Sequence, residues 1–171
     1  MNDELLSFIG SIIMWVSLSQ LYSGYNLSVY NERYEVELSR LNCLIAGACS
    51  ALGAMVLKKV FDWKYYNKTR SSQAAKSKTS FDISVQFANP LSNVDLFIMG
   101  RAMIAGCVIV SAPGTHYKIW ISALLGVFCG FSYIATCYIL QKFKIDDPFH
   151  VFHTHGVPAL LSLILIVVFQ D

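Results

Sequence analysis

Lys144-Ile-Asp-Asp-Pro-Phe-His-Val-Phe-His-Thr-His-Gly156 is a charged, histidine-bearing junction between two long apolar stretches. Asp147 is a favoured helix N-cap and Pro148 a favoured first helical residue, so a helix is predicted to start there and run to Phe169. Histidine at the mouth of a hydrocarbon-spanning helix is costly unless it lines a cavity or finds a partner. His150, His153 and His155 are therefore the first candidates for function, and what surrounds them decides the fold.

On either side of the junction the chain is strongly apolar. Five stretches are long enough to cross about 30 Å of hydrocarbon as helices: Glu4–Ser23, Leu41–Val60, Val94–Ala112, Tyr117–Gln141 and Phe149–Phe169. Only Arg101 breaks their interiors with a full positive charge, near the start of the third. There it is expected to snorkel to the interface or to pair within the protein. The first run, Leu5 to Leu21, has an acidic flank (Asp3, Glu4) and no A-x-A pattern after it, which predicts a retained transmembrane helix rather than a signal peptide. The whole chain, residues 1–171, reads as one membrane domain of the all-α class.

Composition supports the same class. Hydrophobic residues make up 55% of the 171, charged residues only 14%, and the mean hydropathy is +0.50. Soluble domains carry about 25% charged residues. A formal charge of +2, with no basic groove, excludes nucleic acid as a partner and leaves the lipid bilayer. Five cysteines (Cys43, Cys49, Cys107, Cys129, Cys137) fall in apolar stretches without a C-x-x-C pair, which predicts reduced packing residues rather than disulfides or a zinc cluster.

Small residues mark where helices should touch. Ala46-Gly-Ala-Cys-Ser-Ala51 with Gly53-Ala54 lies in the second segment, and Ser122, Gly126 and Gly130 recur every four residues in the fourth. In a membrane such stripes let backbones approach closely. The connections differ: residues 24–40 are polar and suit a short helix, 61–93 read as a solvated linker, and the other two are tight. Lys and Arg are biased across the membrane. Nine (Lys58, Lys59, Lys64, Lys68, Arg70, Lys76, Lys78, Lys142, Lys144) fall on the N-terminal side and three (Arg33, Arg40, Lys118) on the other. The positive-inside rule then places the N-terminus inside and the C-terminus outside, in the plasma membrane or the mitochondrial inner membrane.

Three blocks carry a family resemblance: Met103-Ile-Ala-Gly-Cys-Val-Ile-Val-Ser-Ala-Pro-Gly114, Trp120-Ile-Ser-Ala-Leu-Leu-Gly126, and Phe143 to Val157 with its Asp146-Asp-Pro148 and His155-Gly-Val157. Together with Gly10-Ser-Ile-Ile-Met-Trp15 and Leu41-Asn-Cys43, in collinear order, they resemble the ammonium transporters (Amt, Mep and Rhesus proteins). The resemblance implies a five-helix repeat, the second of the family's two inverted repeats. It makes His155 one of the paired pore imidazoles, and Asp146, Asp147, Pro148 and Gly156 structural motif positions. It also implies capture of ammonium at an outer vestibule, deprotonation, and passage of ammonia along the imidazoles. That route avoids placing a bare cation in low dielectric, and imidazole both donates and accepts hydrogen bonds. Where the family has an aromatic gate, this chain has Leu18 and Leu21; its usual aspartate is His150, and Pro158-Ala159 follow the His-Gly-Val.

Two functional expectations stand on these residues. One is conduction of ammonium or ammonia, with the first pore histidine supplied by a separate half. The other is a non-transporting accessory subunit of a larger membrane complex, such as a respiratory-type assembly, held by its small-residue faces among other membrane subunits. No nucleophile–base pair or phosphate-binding glycine loop is legible, so no enzyme and no cofactor are expected. A metal held by the three histidines would need strain or an outside ligand, because His155 points away from His153 on a helix, so no metal site is expected.

Overall fold

The structure, a computed structural model, describes residues 2–25, 33–76, 96–112, 117–145, 147 and 150–169. All regular structure among them is helical: α1 (Asn2–Tyr25), α2 (Arg33–Lys76), α3 (Leu96–Ile109), α4 (Ile119–Phe143), and α5 (Val157–Phe169), which follows directly on a π-helical turn, Phe152–Gly156. The protein is an all-α membrane protein. Leu5–Gly24, Val36–Phe61 and Ile119–Leu140 are long and apolar enough to cross a bilayer, while Leu96–Ile109 and Phe152–Val168 are shorter apolar helices.

The helix expected at 41–60 is longer at both ends. It begins at Arg33, absorbing the short helix expected before it, and continues to Lys76, well into the stretch expected to be linker. The reason is local. Lys, Gln, Arg and Ala between 64 and 76 are good helix formers, and no Pro or Gly interrupts them. At 1.5 Å per residue the 44 residues of α2 extend about 66 Å, roughly twice the hydrocarbon thickness, so its polar end projects beyond the bilayer. The remainder of the expected linker, 77–93, lies outside the described residues.

The centre of the bundle is α3, which touches α1, α2, α4 and α5. Every residue from Ala102 to Ile109 is buried. The outer helices turn large apolar side chains outwards instead: Leu6 is 70% exposed, Leu124 61% and Val167 76%. In water such a surface would be an aggregation liability, whereas in hydrocarbon it is a solvated face.

The most extensive contact joins α2 to α4 along the two small-residue stripes. A Cβ added at Gly130 would fall on the Ser50 carbonyl oxygen and come within 2.6 Å of the Ala54 nitrogen, and one added at Gly126 would meet the Ala46 carbonyl oxygen and come within 2.9 Å of its Cα. Only backbone stands opposite these glycines, so no side-chain rotation could make room. The expected close-packed seam is present. At the far end of the bundle from the histidines, the amide of Asn42 donates to the Tyr117 carbonyl at 2.8 Å, both residues being buried, and ties α2 to the start of α4.

Candidate functional site

The junction is built from three local departures from regular helix. First, α4 ends where Lys144 takes φ 55° and Ile145 donates its backbone N–H to the Leu140 carbonyl at 3.0 Å. This six-to-one bond with a left-handed residue is the Schellman way of closing a helix, here achieved without the usual glycine. Second, His150 also takes φ 55°, a conformation uncommon outside glycine, and donates its N–H to the Asp147 carbonyl at 3.0 Å. Third, the chain re-enters helix through a π turn rather than an α turn. Pro158 gives a reason for the wider turn: its ring has no N–H and would press on the carbonyl four residues back, and a wider turn relieves the clash.

Asp147 performs the capping expected of it. Its Oδ1 accepts from the Val151 N–H at 3.1 Å and its Oδ2 from the Phe152 N–H at 3.0 Å. The helical start is thus later than the expected Phe149, and His150 lies before it. Asp146 and Pro148 lie outside the described residues. Gly156 is half-buried, and a Cβ there would come within 3.1 Å of the Phe152 ring.

The histidines divide. His155 is exposed on the π turn, whereas His153 is 3% exposed and faces the bundle. His150 is brought to His153, their rings 4.9 Å apart and nearly perpendicular at 79°, and the Tyr133 ring stands 5.8 Å from His153 on the other side. His150 and His153 therefore meet through the left-handed turn, not by sharing a helix face. Asp147 Oδ2 lies 3.2 Å from His153 Nδ1, close enough for an ion pair but not aligned as a hydrogen bond, and Nδ1 of both His150 and His153 is buried without a hydrogen-bond partner. Burial holds the His150 imidazole below its ordinary pKa of 6.5; Arg101 and His153 push the same way and Asp147 opposes them.

A cleft of about 420 Å³ opens at this end of the bundle, lined by Lys58, Phe97, Arg101, Tyr133, Cys137 and His150 among others. The Arg101 guanidinium lies 4.1 Å over the Phe97 ring, so the charge in α3 is held within the protein by a cation–π contact. Cys137, on α4, has no motif around it, and its place beside the histidines is missing from the sequence reading. The gate positions separate: Leu18 packs on the core cluster, while Leu21 is half exposed. Trp15, from the first resembling block, packs on the same core and closes over Gly47.

A bundle of apolar helices that turn large apolar side chains outwards is the architecture of a polytopic membrane protein. Comparison with known sequences narrows it. Residues 89–171, from just before α3 to the end, match the Ammonium Transporter Family. The chain is 23% identical over 163 residues to "Ammonium transporter Amt2" of Archaeoglobus fulgidus, a match covering 95% of this chain and 28% of that protein. It is 34% identical over 70 residues to "Ammonium transporter 2 member 1" of Oryza sativa subsp. japonica, covering 38% of this chain and 14% of that protein. No solved structure matches significantly. The chain is thus similar to ammonium transporters, through matches partial in extent or low in identity, and it spans about a quarter of the archaeal relative's length.

Proposed function

We propose that this chain is the second five-helix repeat of an ammonium transporter-like assembly, and that it conducts ammonia only when a complementary repeat faces it. The observation that carries this reading is the exposure of His155 on the turn leading into α5. An imidazole meant to pair across a pore must project from its own repeat towards the other, whereas a histidine kept only for packing belongs inside, as His153 is. Inverted repeats enclose a pathway only when they insert in opposite orientations. The nine-to-three bias in Lys and Arg gives all copies of this chain one orientation, with the N-terminus inside, so two copies would not make the pore. The partner is therefore a distinct half, in the plasma membrane or the mitochondrial inner membrane, and the role is transport rather than catalysis.

The gate favours a second reading. Leu21 is 51% exposed where the family carries an aromatic ring, and Leu18 is committed to core packing. A non-transporting accessory subunit of a larger membrane complex would keep the fold and lose the gate in this way.

Reconstitution in liposomes tests the pairing. The chain alone is expected to give no ammonia or methylammonium flux above a His155→Ala control; a robust His155-dependent flux from the chain alone would overturn the half-pore reading. The native particle discriminates the two roles. Recovery with a homologous half, and flux lost on His155→Ala, supports transport, while recovery among unrelated subunits supports the accessory role.

A further inference from the structure

Cys137 on α4, His150 in the junction and His153 on the π turn converge at one end of the bundle, each offering a ligand atom, with all three atoms within 4.8 Å of one another. We propose that they form a binding site for a borderline divalent metal, zinc above all, at the edge of the cleft.

The donor set argues for that class of ion. One thiolate and two imidazoles suit zinc or its spectroscopic substitute cobalt(II), and are a poor match for the oxygen-seeking magnesium and calcium. Tetrahedral zinc at its usual bond lengths holds such ligands roughly 3.3–3.6 Å apart. The set therefore has to close by at most about 1.5 Å, and His150 stands outside the helix, where its side chain can move without disturbing one. Metal binding also answers an unmet need: Nδ1 of His150 is buried without a hydrogen-bond partner, and an unsatisfied buried nitrogen is destabilising. Asp147 adds the outer support common to such sites. Its carboxylate, already fixed by the Val151 and Phe152 N–H groups, lies 3.2 Å from His153 Nδ1. A modest rotation of the ring makes it the acceptor that orients the imidazole, leaving the other nitrogen for metal.

Lys58 and Arg101 line the same cleft and oppose a cation, and the Asp147 carboxylate and the thiolate offset that opposition in part. Binding displaces the Cys137 thiol proton to solvent, and both imidazoles bind neutral. Three protein ligands leave a fourth position, which faces the cleft and takes water or another small Lewis base, the pattern of an exchangeable rather than a closed structural site. The left-handed backbone at His150 is explained on the same terms. Strained conformations collect where a side chain must be aimed, and this one brings His150 to His153.

The test uses the untagged full chain in detergent, stripped with chelator and titrated with cobalt(II), then with zinc. One cobalt per chain is expected, with thiolate-to-cobalt charge-transfer absorption and the visible bands of a tetrahedral ion, displaced by an equivalent of zinc. Cys137→Ser should abolish the charge-transfer band, His150→Ala and His153→Ala should each weaken binding by about a hundred-fold or more, and Asp147→Asn by about 10–100-fold. Cys49→Ser, elsewhere on α2, should leave the titration unchanged. Zinc should also slow alkylation of Cys137 in the wild-type chain, a readout that needs no variant to fold. Failure of the wild-type chain to hold stoichiometric metal, an unchanged cobalt spectrum in Cys137→Ser, or zinc-independent alkylation of Cys137 would each overturn the site.

Discussion

The seam between α2 and α4 and the junction after α4 solve opposite problems. The seam is regular: two uninterrupted helices, with glycines of one facing backbone carbonyls of the other. The junction is irregular throughout, with two left-handed residues, a π turn, and imidazole nitrogens short of partners. Regularity at the seam serves adhesion in a solvent that gives helices no hydrophobic reason to associate. Irregularity at the junction serves aim, since the left-handed residue before the helix brings the His150 ring to His153. A membrane bundle can carry chemistry at one end only if its middle is rigid enough to tolerate that disorder of geometry.

The contrast is most easily broken at the seam. Gly130→Leu should cost the most, about 3 kcal/mol or more, because overpacking here drives a side chain into backbone. The expected outcome is loss of the monodisperse peak in detergent size-exclusion and a sharply lower melting temperature. The matched control is Gly10→Ala, where an added Cβ meets nothing within 4 Å and the protein should be unaffected. A tolerated Gly130→Leu would mean that α2 and α4 do not meet as described. A middle effect is expected at Asn42→Leu, which removes the 2.8 Å bond to the buried Tyr117 carbonyl and should destabilise by about 1–3 kcal/mol, read as a lower thermal midpoint. The smallest effect has the opposite sign and belongs to the junction. Lys144→Gly removes the cost of a left-handed residue with a Cβ and should raise stability by up to about 1 kcal/mol. A Lys144→Gly protein less stable than wild type would show that the lysine side chain contributes more than its backbone costs.

The seam was legible in the sequence because small residues at four-residue spacing have few other uses in an apolar helix. So was the Asp147 cap, since Asp before Pro at the start of an apolar run has a local cause. That His153 and His155 face apart also follows from their spacing of two, but which of them faces inward does not. What could not be read was Cys137 beside His150. That contact depends on the φ of a single residue, and a helix starting at Pro148 would hold His150 within it, whereas the helix starts after His150. The length of α2 was missed for a different reason: charged and polar residues in 64–76 look like a tether by composition, yet their helix propensity and the turn already formed upstream favour continuation.

The π turn has one more consequence. A π turn amounts to one residue more than an α-helix needs over the same span, so the junction carries a surplus residue between Phe152 and Gly156. Deleting one residue there would let the backbone close into ordinary helix while rotating everything before the cut by about 100° against α5. The histidine facing the interior and the histidine facing outward would no longer be the same pair. Register at this one place therefore acts as a phase setting between the two ends of the last helix, and a length change too small to disturb the apolar pattern would exchange which chemistry looks into the bundle.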